Sequence, residues 1–402
     1  MAAFFALGSI TLISIYIYLP FGPILTSFIL GCSIPTVLSH IGSRIARWLD
    51  NSPGASQKGR EKRSDVRFSK NDDSLYGLDH AILNIPSPVA DTMWMNMGYW
   101  KNATQLPQAC EALVEKVLEN AGLGDRNTEK AVESEEPRKK RVLLDLGFGC
   151  GQQTLYLMSR DDRGNGEEDD MATTPLFDRY IGITIDKVQY DFAKRRIDAI
   201  KAQKEIATLT DVFCADAADP SSWPSELQDA VSTTFPIESE GRTAQHEPER
   251  YVLALDTLYH FRPSRRNIFI HAHSTLHANF LAFDMFLAPP PPKRTLKSIF
   301  NTLFLRLLTP GLSAPFSNFV TFDAYKMQLQ EAGYTAENIA IEDITEDVFP
   351  GLATFLEARQ RELTALGLSG FSKWRISGWL FRWLAAGDVL RAGVVVARWK
   401  RR

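Results

Sequence analysis

Val142-Leu143-Leu144-Asp145-Leu146-Gly147-Phe148-Gly149-Cys150-Gly151-Gln152-Gln153-Thr154 passes from an apolar run through a carboxylate into three alternate glycines. The apolar run reads as a strand buried on both faces, and the glycines read as a tight turn, because only glycine lets the backbone bend there and lie directly against a ligand. The residues from Gln152 onward read as the first turn of a helix. Strand, glycine turn and helix together form a cradle for a nucleoside-like ligand. The spacing is not the Gly-x-Gly-x-x-Gly of dinucleotide sites, and no Gly-Lys-Ser/Thr ending marks a triphosphate loop, so nothing here requires a phosphate. A glycine turn that binds nothing is the plain alternative.

Further strand-like segments follow in order. Arg179-Tyr-Ile-Gly182-Ile-Thr184-Ile-Asp186-Lys-Val-Gln189 is a second apolar run entering a helix, at a spacing that suits a βαβ unit once an acidic insert is allowed for. A carboxylate ending the second strand of such a unit meets ribose hydroxyls, and Asp186 has that place, although an Asp there also caps helices. Asp211 to Ala217 is a third strand. Tyr251 to Asp256 is a fourth, followed by Thr-Leu-Tyr259-His260-Phe261, and Ala278 to Leu287 is a fifth.

Asp145-x-Gly147-x-Gly149-x-Gly151 resembles motif I of the class I methyltransferases that use S-adenosylmethionine (SAM), and Gly182-Ile-Thr184-Ile-x-x-x-Gln189 resembles the cyclopropane fatty acid synthase, tocopherol and sterol methyltransferase branch. The likeness runs from about Ser74 to the C-terminus. It implies a Rossmann-like, seven-stranded mixed sheet, with strands one to five mostly parallel and an antiparallel last strand ending Val389 to Trp399. It also implies that Thr184 and Gln189 contact the cofactor and that Asp216 and Ala217, in the Ala-Asp-Ala wording of strand three, lie beside the adenine. Trp94-Met-Asn96-Met-Gly98-Tyr99-Trp100 resembles the Asn-Leu-Gly-Tyr-Trp segment that closes over the cofactor in relatives. An aromatic face favours a sulfonium, and Tyr99 is taken as that contact, with Trp94 as a core anchor. His260 is the histidine that the motif order places near the methyl group, as base or orienting group, with Tyr259 as its alternative.

Composition points to one catalytic domain with an attachment. The chain has 402 residues, 23% charged, with a net charge of −3, which shows no nucleic-acid footprint. Cys32, Cys110, Cys150 and Cys214 show no Cys-x-x-Cys spacing, so neither a metal site nor a disulfide framework is expected, and a reducing compartment is.

From Ala2 to Ser39 no side chain is charged. As one straight helix that stretch would run about 57 Å, against a bilayer core of about 30 Å. Pro20 and Pro23 divide it, so residues 1–43 read as an anchor of one or two membrane segments. Residues 44–73 read as a flexible basic linker, whose Arg and Lys residues favour the cytosolic side, with the endoplasmic reticulum as one candidate organelle. Residues 74–402 are the expected methyltransferase domain, interrupted by solvated inserts at 125–140, 161–174 and 233–249. Lys293 to Leu308 reads as a basic apolar helix. Phe371 to Leu384, with Trp374, Trp379 and Trp383, reads as a helix of the fold that also suits a membrane interface.

The expected activity is SAM-dependent methyl transfer to a lipophilic small molecule or lipid at a membrane. Two alternatives stand beside it: a membrane-anchored module that binds cofactor without turnover, and a cyclopropane synthase-like lipid modification, for which no bicarbonate-holding groups are visible. The oligomeric state is open.

Overall fold

The computed structural model describes residues 92–401 except 125–138, 161–173, 204–206, 237–246, 292, 294, 310, 366–371 and 387–388. The chain divides into two compact units, 1–68 and 69–402, and all described residues belong to the second. The expected anchor (1–43), the linker (44–73), the start of the catalytic domain and most of the three inserts therefore lie outside the described residues. Among the described residues, no helix is long and apolar enough to cross a membrane.

The sheet has seven strands in the order β3-β2-β1-β4-β5-β7-β6. They are β1 (Arg141–Leu146), β2 (Arg179–Thr184), β3 (Leu209–Cys214), β4 (Glu249–Leu255), β5 (Asn279–Leu287), β6 (Ile339–Asp343) and β7 (Leu390–Ala397). The first five run parallel, and β7 inserts antiparallel between β5 and β6. This is the seven-stranded mixed sheet expected from the sequence. Side chains alternate across the sheet. In β4, Tyr251, Leu253 and Leu255 enter one core and Val252 and Ala254 the other. Both faces are covered, so the central strands are largely apolar, with Asp145 of β1 and Asp284 of β5 as buried exceptions.

The first core is closed by α1 (Leu106–Ala121), α8 (Thr345–Ala365) and α9 (Ser372–Ala385), and the second by α4 (Ser225–Thr234), α5 (Arg266–Ile270) and α7 (Phe322–Ala332). Pro107 in the first turn of α1 and Gly122 after its end, at φ 82°, set that helix's limits. α2 (Gln152–Ser159) and α3 (Lys187–Gln203) follow β1 and β2, and α6 (Leu296–Leu308) follows β5. Thr234 and Phe235 are buried at the end of α4, so the third insert begins later than its composition suggested.

Candidate active site

Chain order in the sheet reverses between β1 and β4, and a cavity of about 550 Å³ lies at the carboxyl ends of β1 to β4. That is where open α/β sheets hold ligands, and the volume lies within the roughly 300–1,000 Å³ range of small-molecule sites.

Gly147, Phe148, Gly149 and Cys150 form its floor. Gly147, Gly149 and Gly151 have φ of 79°, 62° and 80°, a region that favours glycine, yet they do different things. A Cβ on Gly147 would sit 2.5 Å from Thr257 Oγ1, and one on Gly151 would sit 2.7 Å from Ala193 Cβ, so these two permit close packing. A Cβ on Gly149 would meet only Met95 Sδ at 3.4 Å and Gln189 Oε1 at 3.9 Å, so its bare backbone faces the cavity. Gly151 is not on the cavity wall. Neither is Asp145, which is buried beneath the turn, where Gln153 Nε2 donates to its carboxylate at 2.7 and 2.9 Å and Tyr180 donates at 2.6 Å. Burial pushes Asp145 up to about 6 against those hydrogen bonds.

Thr184, Asp186 and Gln189 line the second side and Asp216 and Ala217 the third. Asp186 Oδ1 accepts the Gln189 N–H at 2.9 Å, so it caps α3 while facing the cavity. Asp216 Oδ1 accepts the Ala218 N–H at 2.8 Å, and its carbonyl accepts Trp223 Nε1 at 2.8 Å, which fixes the turn after β3.

The fourth side is the extended segment before α1. Met93, Trp94, Met95 and Asn96 line the cavity. The Met93 N–H donates to Gln152 Oε1 at 3.2 Å and the Met97 N–H to Asp256 Oδ2 at 2.9 Å, tying the segment to the glycine turn and to the end of β4. Here the structure corrects an expectation. Tyr99 is not on the wall; its backbone N–H bonds the Ala109 carbonyl, and burial, with Asp347 beside its hydroxyl adding to the effect, pushes its pKa up to about 12. Trp94, taken as a core anchor, is both: it packs near the Tyr156 ring at 5.9 Å and also lines the cavity. The two aromatics alternate in and out of a segment with no regular period, so sequence spacing does not say which one faces the ligand.

Asp256 follows β4 as a non-glycine residue at φ 58° and lines the cavity. Tyr259 donates to Asp256 Oδ1 at 2.7 Å. Burial pushes Asp256 up to about 7, with Asp284 adding to the rise and the Tyr259 and Met97 bonds opposing it. Tyr259 itself is 1% exposed and off the wall. His260 is on the wall, its ring tilted at 47° against the Tyr259 ring with centroids 4.2 Å apart, and with Nδ1 3.3 Å from the Ser313 carbonyl. A carbonyl can only accept, so the bond puts a proton on Nδ1, and in the neutral ring the lone pair lies on Nε2. Burial lowers the His260 pKa, Arg262 lowers it further, and the Ser313 bond opposes both. Sequence reading gives Asp256 only as the end of the fourth strand and does not single out Met95, Arg262 or Ser313. Its place as the acidic end of an apolar strand is the signal that could have marked Asp256 as a site residue.

Cys110, Cys150 and Cys214 are free thiols, and among the described residues no cluster of His, Cys, Asp and Glu is arranged to hold a metal ion.

No known protein-family profile matches the chain, and no curated protein sequence matches it. Among solved structures, the chain is similar to the cyclopropane synthase MmaA2 from Mycobacterium tuberculosis, at 15% identity over 80% of this chain and 94% of that one, with a TM-score of 0.49. It is similar to a geranyl diphosphate methyltransferase in complex with SAM at 12% identity, over 77% of this chain and 100% of that one, with a TM-score of 0.44. Similarity to the 4+2 cyclase SpnF is 17% identity over 80% of this chain and 93% of that one, with a TM-score of 0.44. Identities this low assign no activity.

Proposed function

We propose that the chain is a SAM-dependent methyltransferase whose acceptor is a lipophilic small molecule or lipid. One observation carries the reading: the bare backbone of Gly149 faces a cavity whose other sides hold Thr184, Asp186, Gln189 and Asp216 in chain order. The donor set fits this cofactor. Asp186 and Gln189 would meet ribose hydroxyls, and Asp216 with the Ala217 backbone would meet the adenine edge. The glycine turn admits the zwitterionic end without any lysine. Asp145 supports the floor from below and is not itself a contact. Trp94 supplies an aromatic wall, which suits a sulfonium and excludes water.

When bound, the cofactor supplies an electrophilic methyl group. The chain's own task is then to align a nucleophile with it and to take up that nucleophile's proton. His260 is one acceptor for the proton, at Nε2, and Asp256 is the other. Tyr259 and Ser313 act by holding those two groups.

The uncharged stretch from Ala2 to Ser39 supports attachment of this domain to a membrane, with the basic linker favouring its cytosolic face. That attachment gives an acceptor that partitions into lipid a short path to the site.

Calorimetric titration of the protein with SAM tests the reading. Micromolar or tighter binding is expected, with loss of binding in Gly149→Asp because a charged side chain would fill the open floor. Thr184→Ala and Gln189→Ala are expected to weaken binding by about 0.5–1.5 kcal/mol each, as for neutral hydrogen bonds. Absence of binding in the wild type, or unchanged binding in Gly149→Asp, refutes the cofactor assignment. Binding without methyl transfer to any lipid extract leaves the inactive-module alternative.

A further inference from the structure

α6 turns an apolar stripe outward. Leu296, Ile299, Leu303 and Leu307 are 88%, 45%, 59% and 61% exposed. Their spacing of three and four residues puts them on one side of the helix, while Phe304, Leu305 and Leu308 are buried on the other. An ordinary surface helix has the opposite pattern, with charge outward.

The inner side of α6 is held by aromatic rings. Phe300 stacks on Phe304 with ring centroids 5.9 Å apart, and Phe304 meets the edges of Trp379 and Trp383 of α9 at 5.9 and 5.1 Å. Trp379 and Trp383 are half-buried, and Trp383 Nε1 donates to Asn301 Oδ1 at 3.3 Å, which locks the two helices together.

Charge along the segment that carries the stripe has one sign. From Met285 to Phe322 the chain holds no Asp or Glu but includes Lys293, Arg294, Lys297 and Arg306. Lys293, Lys297 and Arg306 are exposed, and Arg306 lies over the Phe316 ring at 4.7 Å. Exposed aliphatic residues with flanking cations form the pattern of a surface that rests in a lipid headgroup region.

We propose that the outer face of α6 docks on a bilayer carrying anionic lipids. The face commits to lipid because its exposed aliphatic residues are flanked by cations alone, which charge complementarity matches to anionic headgroups, and because the same chain carries the uncharged stretch from Ala2 to Ser39. The docked helix leads into the site. Leu308 ends α6, and five residues later Ser313 lines the cavity and holds His260. A lipid acceptor leaving the bilayer at α6 would reach the cavity beside Ser313. This last step rests on the methyl-transfer reading; the docking does not.

Hydrogen-exchange mass spectrometry on the full chain tests the docking. The chain is compared in detergent, on phosphatidylcholine vesicles, and on phosphatidylcholine–phosphatidylserine vesicles at low and high salt. Exchange across Leu296 to Leu308 is expected to slow severalfold on the mixed vesicles. It should slow less on phosphatidylcholine alone or in high salt, while α7, where Met327 is 58% exposed, stays unchanged. The triple variant Lys293→Glu, Lys297→Glu, Arg306→Glu should lose the preference for the mixed vesicles, and Leu303→Glu with Leu307→Glu should lose the slowing altogether. All five positions are exposed, so the variants should retain the wild-type circular dichroism and SAM affinity.

Equal exchange across α6 in all three conditions, in a chain that floats with the vesicles, overturns the proposal. Slow exchange already present in detergent also overturns it, and dependence of that slowing on protein concentration would identify a second copy as the occupant. If α6 is protected but SAM fails to bind, the methyltransferase reading fails and the docking stands.

Discussion

His260 and Asp256 are the two groups that could take the acceptor's proton, and pH separates them. His260 is lowered by burial, so its neutral, basic form persists below the ordinary imidazole value of about 6.5. Asp256 is pushed up to about 7, so its basic form is lost as soon as the pH drops below neutrality. If His260 is the base, kcat holds through pH 7 and falls only on the acid side of about 6.5, and His260→Ala lowers it by about two to four orders of magnitude with cofactor affinity unchanged. An acid limb near 7 that disappears in Asp256→Asn assigns the role to Asp256 instead. The same shift has a consequence for stability. The folded state keeps the Asp256 proton across roughly pH 4 to 7, whereas the unfolded chain has lost it, so this group favours folding at low pH and the benefit disappears as pH rises through 7. Asp256→Asn, which cannot ionise, should therefore gain on the wild type between pH 4 and 7, by at most about 4 kcal/mol for a shift of that size, and then level off. Thermal melts of both proteins across this range would show it. A difference that does not change with pH would mean that Asp256 is not held protonated.

At the scale of elements, the site depends on turns whose supports lie far off in the sequence. Asn318, 3% exposed in the short 3-10 turn Phe316–Asn318, donates to the Tyr259 carbonyl at 3.1 Å and the Phe261 carbonyl at 2.7 Å, bracketing His260. The Asn318 carbonyl in turn accepts from Arg265, whose guanidinium pairs with the buried Asp284 of β5. Asn318→Ala should cost about 1–3 kcal/mol through the unsatisfied buried carbonyls and lower kcat more than it changes SAM affinity, as denaturation and calorimetry would read. Gly151→Val should cost stability for another reason, because it combines a positive φ with a Cβ placed 2.7 Å from Ala193; Gly149→Ala, also at positive φ but without that clash, should cost less stability and weaken ligand binding as well. None of the Asn318 network was legible beforehand, since residues 53 to 59 positions apart meet only through the sheet. β1 to β5 were legible because each is an apolar run followed by turn chemistry. β6, five residues in which only Ile339 is buried, carries no such pattern and is held by its pairing with β7. The glycine turn could be placed because its backbone requirement is written in residue type. Trp94 and Tyr99 could not be sorted because their orientation depends on where Asp256 catches the Met97 amide.

For the molecule as a whole, two features bear on where it works, and they differ in how salt should act on them. The stretch from Ala2 to Ser39 holds no charge, so any attachment it provides is apolar and insensitive to ionic strength. The outer face of α6 combines leucines with Lys293, Lys297 and Arg306, so its attachment weakens as salt shortens the Debye length from about 10 Å at 0.1 M to about 3 Å at 1 M. The first feature was visible in composition. The second was not, because the sequence of Lys293 to Leu308 shows a basic apolar helix without saying which side faces out, and only the packing of Phe304, Leu305 and Leu308 settles which side is exposed. Deleting residues 1–64 should therefore separate the two, since the cavity, the sheet and both cores are built from Met93 onward among the described residues. The shortened chain should bind SAM with wild-type affinity and leave the membrane fraction at high salt, while keeping a salt-sensitive association with anionic vesicles at low salt. The full chain should sediment with membranes in both. If the shortened chain resists release at high salt, α9 with its three tryptophans contributes an apolar attachment of its own. If it fails to bind SAM while remaining folded, residues before 65 belong to the site, and the separation of anchor from catalytic domain is wrong.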